Sequence, residues 1–260
     1  MTNRTAEISR SIRLEASAGE WQARIELAAG HRVLAHYGVD DMTYNHFSLR
    51  VPGEPEHMLI KRNTEMFAQV TASSLVKYDL DGSPILPADA PRCRGGGLTI
   101  HAGLLKARQD IDSVLHTHTP SAMGVSAHKS GLLPLSQQAM RFYGEMKYHD
   151  FKGFEFDAAM TQRLLDDLQG GACMLLRHHG ALVCGRSVPE CVVNHHWLEM
   201  ACQAQVAVLS AGEGNYLLPD EAACEYAHQQ VVDSGEFLKG GRDWQACLRL
   251  AEQLDPTYKE

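Results

Sequence analysis

The chain is poor in several features that would narrow its class at once. Its seven cysteines (Cys93, Cys173, Cys184, Cys191, Cys202, Cys224 and Cys247) are odd in number and scattered, and no two form a CxxC pair. A zinc knuckle and a redox dithiol are thereby excluded, and reduced thiols in a cytoplasmic setting are expected. Nowhere does an uncharged apolar run approach the roughly 18 residues of a membrane span. Met1 to Glu15 alternates charged and polar residues around no apolar core, which argues against a signal peptide. Basic charge is short too: 24 Lys and Arg against 32 Asp and Glu leave a net charge of −8. Neither nucleic acid nor an anionic membrane is therefore an expected partner, because both need a basic surface.

What remains is an ordinary globular composition. At 260 residues, 44% hydrophobic and 22% charged, the chain can bury a sizeable core without staples. No composition shift marks a linker. One α/β domain over residues 18–212 is expected, with a flexible leader over 1–17 and a packed helical extension over 213–260. Apolar positions at three-to-four spacing from Ala18 to Tyr37 predict an amphipathic helix that Gly38 closes with a left-handed cap. Phe47–Val51, Met58–Ile60 and Leu75–Leu80 read as strands of an antiparallel meander. A flexible glycine loop, Cys93–Gly97, precedes a helical stretch from Leu98 to Arg108. Ile111–Thr117, Glu145–Phe151, Cys173–Leu176 and Ala181–Cys184 are further strands. Asp157–Leu168 is helical, and Ser187-Val188-Pro189-Glu190 fits a capping box that opens a helix to Ala211.

The sharpest chemical signal is His116-Thr117-His118 at a strand end. Residues i and i+2 share a face of a strand, so the two imidazoles project together and Thr117 faces the other way. Half-exposed strand histidines without a ligand are the bland alternative. A second signal, His178-His179-Gly180, ends another strand at a tight turn. Three histidines from two strand ends are enough for a catalytic metal site, which keeps a coordination position open for water or substrate. Imidazole suits Zn, Fe, Mn or Co, and spacing does not choose among them.

Across roughly residues 20–210 the sequence resembles the class II aldolase/adducin proteins. The likeness rests on Val114-Leu115-His116-Thr117-His118, Leu175-Leu176-Arg177-His178-His179-Gly180 and Tyr44-Asn45-His46-Phe47-Ser48-Leu49-Arg50. Thr71–Val76, followed by Asp79-Leu80-Asp81-Gly82, adds to it. The resemblance implies a three-layer α/β/α sandwich around a mostly antiparallel sheet. It also implies a homo-oligomer, a tetramer in the family, and one divalent metal ion per subunit, zinc first among the candidates. His116, His118 and His179 are then the metal ligands, and the His178 ring should point elsewhere.

The departures shape the function expected. Family aldolases carry an acid/base glutamate four positions before the residue that is His101 here; this chain has Gly97 instead. Asn45-His46, Arg62-Asn63-Thr64 and Gly95-Gly96 replace the family's phosphate cradle, which argues against a sugar phosphate. The Asn-His-x-Ser stretch, the Gln137–Tyr143 run and the helix around Glu199–Gln205 place the chain nearer the adducin-like branch.

Arg141 is a candidate carboxylate clamp and Asn45 a second substrate-binding residue, while Tyr143 and His46 are candidate proton carriers. Tyr148 reads as a packing residue. His195 and His196 are adjacent on a helix, so they cannot chelate together and are expected to serve packing and surface. The reading is a metal-dependent lyase that cleaves a C–C bond in a non-phosphorylated hydroxy- or keto-acid. Its rivals are a non-haem Fe(II) oxygenase acting on a phenolic or keto-acid substrate and a non-catalytic adducin-like module.

Overall fold

A computed structural model describes residues 10–154, 157–212, 214–235 and 239–260. Helix α1 (Ala18–His36) leads into strands β1 (His46–Val51), β2 (Glu54–Ile60), β3 (Val76–Asp79) and β4 (Pro84–Leu86). A π-helical stretch, Gly97–Ala102, runs into α2 (Gly103–Ala107), and β5 (Ser113–Thr117) follows. Then come α3 (Pro120–Ala127), α4 (Gln137–Met140), β6 (Lys147–His149), α5 (Ala158–Leu168), β7 (Cys173–Leu176), β8 (Gly180–Gly185) and α6 (Val188–Leu209). Helices α7 (Glu221–Ser234) and α8 (Gly241–Leu254) end the helical part.

The eight strands form one sheet in the order β4-β3-β2-β1-β5-β8-β7-β6. Every neighbouring pair is antiparallel except β6 with β7, so the mostly antiparallel sheet of the sequence reading is observed. Strand alternation divides the core into two layers. Phe47, Leu49, Leu59, Leu115, Leu175 and Val183 face α1, α3, α6 and α8. Met58, Ile60, Val114, Met174, Leu176 and Leu182 face the Gly97–Ala107 helical stretch and α5. The result is a three-layer α/β/α sandwich.

Local chemistry explains the element ends. The backbone N–H groups of Gly38 and Val39 donate to Ala35 and Leu34, a Schellman closure that uses Gly38 at φ +77°. Ser187 caps α6 by accepting from the Glu190 N–H, but the Glu190 carboxylate takes the N–H of Arg186 rather than that of Ser187. The expected box is thus displaced by one residue. Strand β4 was missed because three residues carry too little periodicity to read. The expected loose leader is packed where it is described: residues 10–15 are helical, and Ile12 and Ala16 are buried with Leu86. Helix α8 lies against α1 and α6, with Trp244 and Ala251 buried.

Buried polar groups are numerous. Arg24 pairs with Glu20 at 2.8 Å and donates to the carbonyls of Ala72 and Leu75. Arg50 reaches Asp112 and four backbone carbonyls that close the β1 and β5 ends. His31, His101 and His195 are almost wholly inaccessible to water. Burial lowers the first to about 3, the second well below the usual histidine range, and the third to about 4.

These three rings are therefore neutral in the fold and take up protons on unfolding below pH 6.5. Folding stability should be full above that pH and fall as pH drops toward 4, by about 1.4 kcal/mol per histidine for each pH unit. Urea midpoints measured between pH 7.5 and 4.5 check this; a flat profile would show that the rings charge inside the fold.

Candidate metal centre

The site lies at the edge of the layer that faces α5. His116 is the last histidine inside β5, and it pairs with His46 of β1 on one side and Leu182 of β8 on the other. Its ring thus lies on the same face as that of His46. His118 follows just past the strand end, and His179 arrives from the tight β7–β8 connection. Ring centroids of the three are 4.6 to 4.9 Å apart. One ring nitrogen from each lies within 4.8 Å of the others, a group of three able to hold a metal ion.

On two of the three rings the other nitrogen is already committed. His116 Nδ1–H donates to the Ala181 carbonyl at 3.0 Å, and His118 Nδ1–H donates to Asp41 Oδ2 at 2.9 Å. Those bonds direct both Nε2 lone pairs inward, where they face one another at 3.0 Å. Two lone pairs at that distance repel when both rings are neutral, and a cation between them converts the repulsion into ligation. Burial, with its neighbours His118 and His179, holds His116 well below the ordinary histidine range. Burial likewise lowers His179 to about 4. Both rings are unprotonated and ligand-ready at neutral pH.

The histidine segment is braced from behind. Thr117 points to the opposite face, as alternation requires, and its Oγ1 shares a hydrogen bond of 2.7 Å with His195 Nε2 on α6. The His118 N–H donates to Asn45 Oδ1 at 3.0 Å. Thr119 Oγ1 donates to Glu199 at 2.5 Å, and Ser121 donates to the same carboxylate. Three successive residues are held by three side chains. On the other side, a Cβ on Gly180 would meet the Thr117 carbonyl oxygen at 2.1 Å. Only glycine lets the β8 start pass this close to β5, and that approach brings His179 to the pair.

A cavity of about 330 Å³ opens over the triad. His46, Asn63, Thr43, Tyr44 and Arg94 give it polar lining, and Ile100, Met160 and Phe154 line its apolar part. Burial and the neighbouring Lys61 lower His46 to about 4, although Asn63 hydrogen bonds to it. Lys61, itself buried, donates to the Thr43 carbonyl at 2.8 Å and is brought down to about 8 by that burial.

Some expected residues stand elsewhere. Asn45 is buried behind the site, where its carbonyl oxygen holds the His118 backbone and does not face the cavity. Arg141 is buried against α6, where it donates to Asn194 at 2.7 Å and stacks over Trp197. Tyr143 lies near Glu221 and Glu225 of α7. Neither lines the cavity of its own chain. The Arg141–Tyr143 stretch follows α4, which packs on α6 in the other layer, and no local pattern reveals that separation. Tyr148 packs beneath Arg177 and accepts from the Leu132 N–H. His178 is exposed at φ +58°, turned away from the triad. Gly97 is buried, and a Cβ there would meet Cys93 Sγ at 2.9 Å, so a side chain at this position would have to displace the Cys93 thiol. Asp41, Arg94 and the His195 brace were missed. Each is brought in by a distant element, so local spacing gives no signal for it.

Residues 25–206 match the Class II Aldolase and Adducin N-terminal domain. The chain belongs to the class II aldolase and adducin family. A Caulobacter vibrioides protein, named provisionally as an aldolase class 2 protein, is 38% identical over 96% of both chains. Rat alpha-adducin is 36% identical over 91% of this chain, which spans 34% of that longer protein. An aldolase II superfamily protein from Pseudomonas syringae has a solved structure with a TM-score of 0.91 and 37% identity, covering 96% of this chain and 100% of its own. L-fuculose 1-phosphate aldolase from Glaciozyma antarctica shares the fold at a TM-score of 0.80 and 21% identity, covering 94% of this chain and 93% of its own.

The tight Gly180 contact gives a direct test. Gly180→Ala should cost about 2–4 kcal/mol of folding stability, because the methyl group must push β8 away from Thr117. Urea unfolding beside wild type measures it, and a loss below 1 kcal/mol would show that the connection yields.

Proposed function

We propose that the chain is a metal-dependent lyase that cleaves a C–C bond in a non-phosphorylated hydroxy- or keto-acid. The observation that carries the reading is the inward pair of Nε2 lone pairs at 3.0 Å, closed by His179 and backed by hydrogen-bond acceptors. His116, His118 and His179 would hold the ion, and the facing cavity leaves room for substrate. A divalent ion held there supplies Lewis-acid stabilisation of negative charge on an oxygen next to the breaking bond. Zinc is the first expectation, with iron, manganese or cobalt behind it.

The chain's own groups then have distinct tasks. His46 lines the cavity as a neutral imidazole, able to take the proton of a substrate hydroxyl, the transfer that starts retro-aldol cleavage. Asn63, hydrogen bonded to His46, fixes that ring. Asp41 and the Ala181 carbonyl orient their histidines and keep the proton on Nδ1, so that each Nε2 lone pair points to the ion position. Gly97 supplies no carboxylate, so a shuttle through that position has no part in the chemistry. The resemblance to alpha-adducin carries the rival reading, a non-catalytic interaction module, in which no metal would be held.

Elemental analysis of untagged, anaerobically purified protein, beside the His116→Ala/His118→Ala double variant, decides between them. Near-stoichiometric zinc, manganese or cobalt, lost in the variant, is expected for the lyase. Stoichiometric iron with substrate-dependent O₂ uptake would give the site to an oxygenase instead. No metal in either protein after reconstitution leaves the module. Asp41→Asn should weaken metal affinity roughly 10- to 100-fold without unfolding the chain, as competition with a chromogenic chelator would measure. Because His179 titrates only near 4, bound metal should survive dialysis at pH 6 and be lost as pH falls through about 4. Full retention well below pH 4 would show that the histidines are not the ligands.

A further inference from the structure

The loop that enters the Gly97–Ala102 stretch brings Arg94 to the cavity over the triad. Its guanidinium makes no hydrogen bond or ion pair among the described residues. Arg92, two positions earlier, shows the contrast: it is spent on the Ser83 hydroxyl and the Asp81 carbonyl, at 2.9 Å each. Among the described residues, the cavity lining contains no aspartate or glutamate. In a chain of net charge −8, a cation with no partner among the described residues, in a cavity without a described carboxylate, makes this cavity a local basin for anions. A planar guanidinium matches a carboxylate in bidentate fashion.

The apolar part of the lining limits the rest of the ligand. Ile100, Met160 and Phe154 offer no hydrogen-bonding group. A polyhydroxylated sugar would leave several hydroxyls unpaired against that wall, and each would count against binding. An aliphatic or aromatic substituent fits it.

Building on the lyase reading above, we infer that Arg94 binds the substrate carboxylate and that the Ile100, Met160 and Phe154 wall takes an apolar substituent. The substrate class is therefore an alkyl- or aryl-bearing oxo- or hydroxy-carboxylate, not a sugar acid or a sugar phosphate. Arg94 is the residue that selects it.

The test is calorimetric binding of 2-oxoisocaproate and phenylpyruvate, with phenylpyruvate methyl ester, gluconate and glycerol 3-phosphate as contrasts. Wild type, Arg94→Lys and Arg94→Met are titrated both zinc-loaded and metal-free, with metal content measured alongside. Wild type should bind at least one of the two apolar oxo-acids at least tenfold more tightly than the ester, gluconate or glycerol 3-phosphate. Arg94→Met should lose at least tenfold on that acid, cease to distinguish acid from ester and keep its zinc, and Arg94→Lys should recover part of the loss. Equal binding by wild type and Arg94→Met, preference for gluconate or glycerol 3-phosphate, or failure of both oxo-acids to bind would overturn the inference. Arg94-dependent binding to protein that takes up no zinc would uphold Arg94 while removing the lyase reading. Zinc at the triad with an inert Arg94 would do the reverse.

Discussion

The pairing of β5 with β8 is the constraint on which the site depends. The two strands run antiparallel from Ser113 opposite Gly185 to Thr117 opposite Ala181. At the end of that ladder the backbone at Gly180 comes so near the Thr117 carbonyl that no side chain fits between them. The same pairing sets the Ala181 carbonyl against His116 Nδ1 and delivers His179 beside its partners. A slip of one residue would turn His116 toward the helix layer and Thr117 toward the cavity, because side chains alternate along a strand. Register is fixed by the apolar neighbours: Leu115 and Val183 belong to one core layer, Val114 and Leu182 to the other. The hydrophobic effect thus aims the imidazoles.

Around that ladder, polar groups do what apolar packing cannot. Ring orientation needs directional partners, and Asp41 and the Ala181 carbonyl provide them. The ladder stops at Thr117, and Asn45, His195 and Glu199 hold the chain at and beyond that end through His118, Thr117 and Thr119. Asn45 and His195 therefore bear on the site from behind the sheet. Neutral histidines also fit the burial, since a charged imidazole without a partner would be costly there.

The family takes in relatives named as aldolases and relatives named as adducins, so the architecture by itself does not fix a role. The features of this chain that bear on its chemistry are local. A Cβ on Gly97 would meet the Cys93 thiol, and Arg94, without a partner among the described residues, lines the same cavity as Ile100, Met160 and Phe154. Charge and polarity at the cavity, more than the fold, bear on what it accepts.

Much of the fold was legible because helices and strands repeat. Helix α1 with its Gly38 closure, the meander and the α6 cap all follow from apolar spacing and end signals a few residues long. The His116–His118 pair was legible for the same reason, since a strand's period of two places both rings on one face. The tertiary structure alone decided which side chains converge from afar. Asp41 reaches His118, Arg94 reaches the cavity, and His195, which reads on its helix as an ordinary packing residue, grips Thr117. Arg141 and Tyr143, which read locally as a clamp and an acid, were carried into the other layer against α6 and α7. Periodicity reports which face a residue takes on its own element. The packing of elements far apart in the chain decides what that face meets.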